Sequence, residues 1–299
     1  MKSVVITGVS SGIGYGTAKE FVRGGYRVFG SVRKREDAGR LENELGAGFV
    51  PLIFDVTDRE AVLQAARRVG EIVGADGLVG LVNNAGAAIG GPLKHQPLND
   101  VRAQFEINVV GLISATQAFL PLLEAGEGRA AGPGRILNIS SVGGRIAAPF
   151  IGAYAGTKHA VEGVSDSLRR ELLPYGIDVI VIRPGSVRTE IWDKGAAGAG
   201  LYAETEYADA LEGFQRYAEG VAKSGFSPEE FGVRVRKVFE TRRPRTRYAI
   251  VRGRFANWTV PSLLPDRLLD RVIARQVGLT LGAFRDQASR GAATGAAAR

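Results

Sequence analysis

Short apolar runs rich in β-branched residues recur along the chain near 3–7, 27–32, 49–54, 78–83, 135–140, 177–183 and 247–251. Between them, apolar residues return at helical spacing, as in the segments 101–123 and 151–173. Runs of this length without polar alternation suit strands buried on both faces, so the pattern predicts a parallel sheet covered by helices. The fold class expected is therefore α/β, a single-domain, doubly wound sheet of about seven strands with a ligand crevice at the carboxyl ends of the strands. One domain is expected over residues 1–286, and no linker divides it. The alternation lapses between about 190 and 227, where Gly and Ala mix with scattered aromatics, and this stretch reads as a flexible substrate lid with short helical pieces. Residues 287–299 are small and polar and read as a disordered tail.

The first strand is followed at once by Thr7-Gly8-Val9-Ser10-Ser11-Gly12-Ile13-Gly14 and then a helical pattern. A strand, a glycine turn and a helix N-terminus together bring backbone N–H groups against a pyrophosphate. The spacing G-x-x-x-G-x-G departs from the commoner G-x-G-x-x-G. Further along, Tyr154 and Lys158 stand one helical turn apart, with Ser141 thirteen positions before the tyrosine. Residues at i and i+4 share a helix face, so the ammonium is expected to lower the phenol's pKa from its ordinary value of about 10. Tyr154 then becomes an acid/base, and Ser141 holds the substrate oxygen beside it. Ser140 competes for that role, and the thirteen-residue spacing selects Ser141.

Taken in order, Thr7-Gly8-x-x-x-Gly12-x-Gly14, Asp55-Val56, Asn83-Asn84-Ala85-Gly86, Asn108, Ser141, Tyr154-x-x-x-Lys158 and Pro184-Gly185 resemble a short-chain dehydrogenase/reductase of the single-domain branch. The resemblance covers roughly residues 2 to 190 and is greatest toward steroid- and retinol-dehydrogenase-like members. It implies an oxidoreductase that moves a hydride between a nicotinamide cofactor and an alcohol or carbonyl, with Asn108, Ser141, Tyr154 and Lys158 as a catalytic tetrad. Asn108 is expected to order a water that relays protons to Lys158, which also binds the nicotinamide ribose. The implied cofactor residues are Gly8, Ser10, Ser11, Gly12, Ile13 and Gly14 at the pyrophosphate, and Asp55 and Val56 at adenine. Asn83, Ala85 and Gly86 follow beside the ribose, and Pro184, Gly185, Val187 and Thr189 stand near the nicotinamide.

The end of the second strand decides between cofactors. A carboxylate there suits NAD(H), whereas Gly30-Ser31-Val32-Arg33-Lys34-Arg35 offers cations. Arg33 can pair with a 2′-phosphate, with Ser10 or Ser11 beside it, so NADP(H) is preferred and NAD(H) remains possible. Val142, Ile146, Phe150, Ile191 and Trp192, with Tyr202 and Tyr207 from the lid, suggest a bulky, mostly apolar alcohol or ketone. Two other readings share this fold: a cofactor-sensing protein, in which Tyr154 or Lys158 would be lost, and an epimerase or dehydratase with another glycine spacing and a longer substrate domain.

Composition narrows the rest. The chain of 299 residues has no cysteine, which excludes disulfides and thiolate chemistry and fits a reducing, cytoplasmic setting. Its two histidines, His95 and His159, have no neighbours at ligand spacing, so no metal site is expected. A net charge of +8 spread as scattered arginines reads as a solvated surface, with no nucleic-acid partner. No continuous apolar stretch reaches the roughly 18 residues needed to span a membrane. The long helical patterns carry apolar residues beyond the needs of one sheet face, and family resemblance implies a homodimer or homotetramer built on them.

Overall fold

In the computed structural model, residues 1–124, 132–189, 199–280 and 282 are described. Seven strands, β1 (Ser3–Ile6), β2 (Arg27–Val32), β3 (Phe49–Ile53), β4 (Gly80–Asn83), β5 (Arg135–Ile139), β6 (Asp178–Pro184) and β7 (Arg247–Ile250), form one sheet in the order β3-β2-β1-β4-β5-β6-β7. Every pairing is parallel. The chain order reverses between β1 and β4, and that switch point opens the crevice expected of a doubly wound sheet.

Side-chain alternation along the strands builds two cores. Val4, Ile6 and Val28 join Phe21, Phe231, Val235 and Phe239 on one face. Val5, Phe29 and Leu81 join Val62, Val69, Ala115 and Phe119 on the other. The first face is covered by α1 (Gly12–Arg23), α2 (Arg35–Leu45) and a helix from late in the chain, Pro228–Glu240. A Cβ on Gly16 of α1 would lie 2.0 Å from the Pro228 oxygen, and one on Gly232 would lie 2.2 Å from the Gly16 oxygen, so this helix pair requires glycine at its crossing.

The second face is covered by α3 (Arg59–Val73), by α4 (Leu98–Phe105) and α5 (Gly111–Phe119), and by α6 (Gly152–Glu171). A π-helical turn, Glu106–Val110, joins α4 to α5. The helical run Leu98–Leu122 is long and apolar enough to cross a membrane by length and composition, although Asp100, Arg102 and Glu106 interrupt its apolar residues. Here it packs against α3 and α6 and buries Gln104 and Asn108.

Beyond β6 lies the stretch read from sequence as a lid with short helical pieces. Its described portion contains a sixteen-residue helix, α7 (Ala208–Lys223), rather than short pieces. Helix α8 (Pro228–Glu240) follows and is closed by a reciprocal Ser227–Glu230 capping box. After β7 come a π-helical turn (Phe255–Thr259), the short α9 (Val260–Leu263) and α10 (Asp266–Val277). Ile191, Trp192 and the tail 287–299 lie outside the described residues.

Candidate active site

The loops after β1, β2, β3, β4, β5 and β6 converge on one cleft of about 360 Å³. Its lining includes Gly8, Ser10, Ser11, Gly12, Ile13, Gly14, Arg33, Asp55, Val56, Ala85, Gly86, Ser141, Tyr154, Lys158, Pro184, Gly185, Val187 and Thr189. The sequence motifs therefore meet in space. At the start of α1, Gly12 has φ +59°, a left-handed conformation that favours glycine. The N-cap Ser11 makes no side-chain capping bond and the first turn holds no acidic residue, whereas α2 and α3 carry acids there. The first amides of α1 thus face the cleft without an internal anion. This suits a cofactor pyrophosphate, which a helix N-terminus holds through its free N–H groups and its dipole.

One predicted cofactor residue is placed differently from expectation. Asn83 is buried away from the cleft, where its Nδ2 donates to Thr116 Oγ1 (2.9 Å) and Asn138 Oδ1 (2.9 Å). Its neighbour Asn84 lines the cleft instead and donates to the Thr7 and Gly8 carbonyls, both at 2.9 Å, tying β4 to the glycine turn. A strand alternates its side chains between faces, so one position in a double asparagine inverts the assignment. Asp55 is already engaged, accepting from Thr57 N (3.0 Å) and Thr57 Oγ1 (2.8 Å), while Asp58 caps α3. Arg33 stands at the mouth, 74% exposed, with Nη1 3.8 Å from Asp55 Oδ2. Arg40 of α2 also reaches this end, donating to the Ser10 carbonyl at 2.7 Å. The sequence reading did not single out Arg40, because only the docking of α2 brings it there.

The catalytic candidates gather at the other end. Ser140 and Ser141 separate by direction: Ser140 is buried and turns its Oγ toward the Lys158 carbonyl (3.4 Å), whereas Ser141 accepts from Gly143 N (3.0 Å) and hydrogen-bonds Tyr154. Both serines line the cleft. Lys158 is buried, its Nζ donating to the Ile139 carbonyl at 2.9 Å and lying 5.7 Å from the Tyr154 ring centre.

The expected lowering of the Tyr154 pKa by Lys158 is not what this geometry produces. Burial pushes the phenol above its ordinary value, with the Ser141 hydrogen bond pulling the other way. Burial also lowers Lys158 to about 8, because a dry ammonium is costly. Asn108 sits in the π-helical turn, a feature that often marks functional positions. Its amide donates to Ala87 O (2.8 Å) and Thr157 Oγ1 (2.9 Å) and accepts from Ala87 N (2.8 Å), so it clamps the loop after β4 with one oxygen lone pair left over.

An apolar wall stands beside Tyr154. Ala88, Ile151 and Tyr154 pack with Phe214 of α7, which also meets Phe150 at 5.8 Å between ring centres. Tyr202 is buried with Phe150, and Tyr207 packs against both Phe150 and His95. Phe150 itself holds a left-handed backbone (φ 65°) and accepts from Gly91 N at 2.7 Å, so the wall is pinned to the loop after β4. Phe214 carried no sequence signal beyond its place on an amphipathic stretch.

The short chain dehydrogenase family model matches residues 2–199. The chain belongs to that family. This short-chain dehydrogenase is 38% identical over 277 residues to the NADPH-dependent 3-dehydrocapnine reductase of Ornithobacterium rhinotracheale, covering 93% of this chain and 98% of the relative. It is 33% identical over 283 residues to retinol dehydrogenase 5 of Mus musculus, covering 90% of this chain and 87% of the relative. Among solved structures it resembles a short chain dehydrogenase/reductase from Burkholderia phymatum in complex with NAD, with TM-score 0.72 and 25% identity over 85% of this chain and 90% of that one. The short-chain dehydrogenase described here is an NAD(P)-dependent oxidoreductase.

Proposed function

We propose that this short-chain dehydrogenase reduces the carbonyl of a bulky, mostly apolar substrate with NADP(H), Tyr154 acting as the acid. The observation that carries the reading is the hydrogen-bonded Ser141–Tyr154 pair, set in the cofactor cleft beside the apolar wall of Ile151, Phe150 and Phe214. A bound nicotinamide supplies the hydride. The chain's own residues manage the charge that grows on the substrate oxygen: Ser141 Oγ positions that oxygen, and Tyr154 Oη gives it a proton. A phenol held above its ordinary pKa keeps that proton at neutral pH, which suits the reductive direction. Lys158 stands behind the tyrosine as the next proton donor. The remaining lone pair of Asn108 faces a position near Gly86 that Lys158 Nζ also approaches, fitting a water relay between them.

The preference for NADP(H) rests on Arg33 at the cleft mouth and on the absence of a carboxylate at the end of β2. The NADPH dependence of the 3-dehydrocapnine reductase supports it, and the likeness to a retinol dehydrogenase supports an apolar alcohol or ketone. NADPH consumption measured against aryl ketones, steroids and retinoids tests the reading. Turnover of an apolar ketone is expected, and activity confined to small polar carbonyls would overturn the substrate class.

A further inference from the structure

The C-terminal helices expose large apolar side chains together with arginines that have no ion-pair partner among the described residues. Phe255 is 75% exposed and Leu263 78% exposed, the latter at the corner where α9 turns into α10. On α10, Leu269, Ile273 and Val277 follow at four-residue spacing and face inward, Val277 lying against Gly213 of α7. A flank of the helix presents Leu268 and Val272, 45% and 40% exposed. Beside that apolar stripe runs a second one, Arg267, Arg271 and Arg275, also at four-residue spacing. Asp266 and Asp270 are exposed on the flank of the helix beyond Arg267, so the arginine stripe keeps a net positive charge. Among the described residues none of these three arginines, nor Arg254, has an ion-pair partner, while Arg252 is held by Glu230.

Exposed apolar side chains normally mark a surface that something covers. A second copy of this chain fits poorly, because a two-fold contact through this face would set the arginine stripe against its own copy. Nucleic acid would satisfy the arginines but not Phe255 and Leu263. An anionic bilayer satisfies both, since the arginines meet lipid headgroups and the apolar side chains enter the headgroup–acyl boundary.

We propose that the face formed by the Phe255–Leu263 segment and α10 docks this protein peripherally on an anionic lipid surface. The same α10 packs on α7, the helix that places Phe214 against Tyr154, so docking would bring the apolar wall of the active site within one helix of the bilayer. The inference stands on this surface and does not depend on the substrate reading, because its test measures lipid binding rather than turnover.

Flotation of the full-length protein with vesicles of phosphatidylcholine, with or without phosphatidylglycerol, decides it. The protein is expected to float with the anionic vesicles and much less with the neutral ones. Replacing Arg267, Arg271 and Arg275 together by Gln is expected to weaken anionic binding by roughly a hundredfold, about fivefold for each arginine. Phe255→Ser with Leu263→Ser is expected to leave an attraction that moderate salt abolishes, while wild-type binding partly survives it. Unchanged NADPH affinity and melting temperature show that the variants fold. A wild type that stays with the unbound fraction, or equal binding to neutral and anionic vesicles, overturns the proposal. So does self-association in the absence of lipid that the Phe255 and Leu263 replacements abolish, which would assign the face to a second copy.

Discussion

The proposed chemistry and cofactor choice rest on side chains whose behaviour is set by their immediate surroundings. Tyr154 and Lys158 are both buried, and burial moves them in opposite senses, the phenol upward and the ammonium down to about 8. A phenol shifted upward by burial keeps its proton at neutral pH, as the proposed reduction requires. Tyr154→Phe is expected to keep the fold and cofactor affinity while lowering kcat by at least about a hundredfold, the scale of an acid/base group. Near-normal turnover in a folded variant would remove Tyr154 from the mechanism. Arg33 poses a different problem, because it is exposed and already near Asp55. Its guanidinium is expected to contribute on the order of 1.5–3 kcal/mol to binding a 2′-phosphate through charge-assisted hydrogen bonds. Titrating both cofactors into Arg33→Ala should show NADPH weakened by about ten- to a hundredfold at low salt, less at high salt, with NADH barely changed. Equal weakening of the two cofactors, or a wild type that prefers NADH, would contradict the assignment.

Between elements, an ionic cluster around the buried Glu162 joins α6 to the far edge of the sheet. Glu162, one turn beyond Lys158 on α6, accepts from Arg183 Nε and Nη2 of β6, both at 2.8 Å, and from Arg247 Nε of β7 at 2.9 Å. Arg247 continues to Asp166 at 2.8 Å, and Arg183 lies under the Trp258 ring. Burial raises the Glu162 pKa, but the hydrogen bonds from Arg183 and Arg247 outweigh it and hold the carboxyl below its ordinary value. The stability this contributes is fully present above the unfolded carboxylate value of about 4.3 and is lost as pH falls through the lower folded value. Glu162→Gln leaves two arginines without their shared anion and is expected to cost on the order of 3 kcal/mol at pH 7. Urea unfolding from pH 7 to pH 3 checks both points. The wild type should lose stability on acidification more steeply than the variant, and parallel curves would show that Glu162 is not the group responsible.

For the whole molecule, assembly is written in the apolar residues that stay on its surface. Phe105 and Val110 stay exposed along the α4–α5 run beside α6, so an apolar strip remains outside the monomer's core. We expect this strip to pair with its copy in a dimer or tetramer. Light scattering at working concentration should give a mass of two or four chains, and Val110→Glu should lower it. A stable wild-type monomer would contradict the expectation. This strip is separate from the basic C-terminal face, so the two associations can be told apart by which substitutions abolish them.

Strand positions and the order of the site motifs were legible in the sequence because both are local. A fully buried parallel strand must be a short apolar run, and in a doubly wound sheet each strand's carboxyl end delivers its loop to the same crevice. Gly8, Ser10 to Gly14, Asp55, Ala85, Gly86, Ser141, Tyr154 and Pro184 could therefore be placed around one cleft before any packing was known. What only the tertiary structure decided depends on contacts between residues far apart in the chain. It turned Asn83 inward to Thr116 and brought Arg40 to the glycine turn. It laid Phe214 beside Tyr154 and dried Lys158 enough to shift its proton affinity. The even scatter of arginines hid the stripe on α10, because which side of a helix stays exposed is settled by the surface it packs against. Burial is a property of the assembled fold, and the electrostatics of a buried site follow from it rather than from the local sequence.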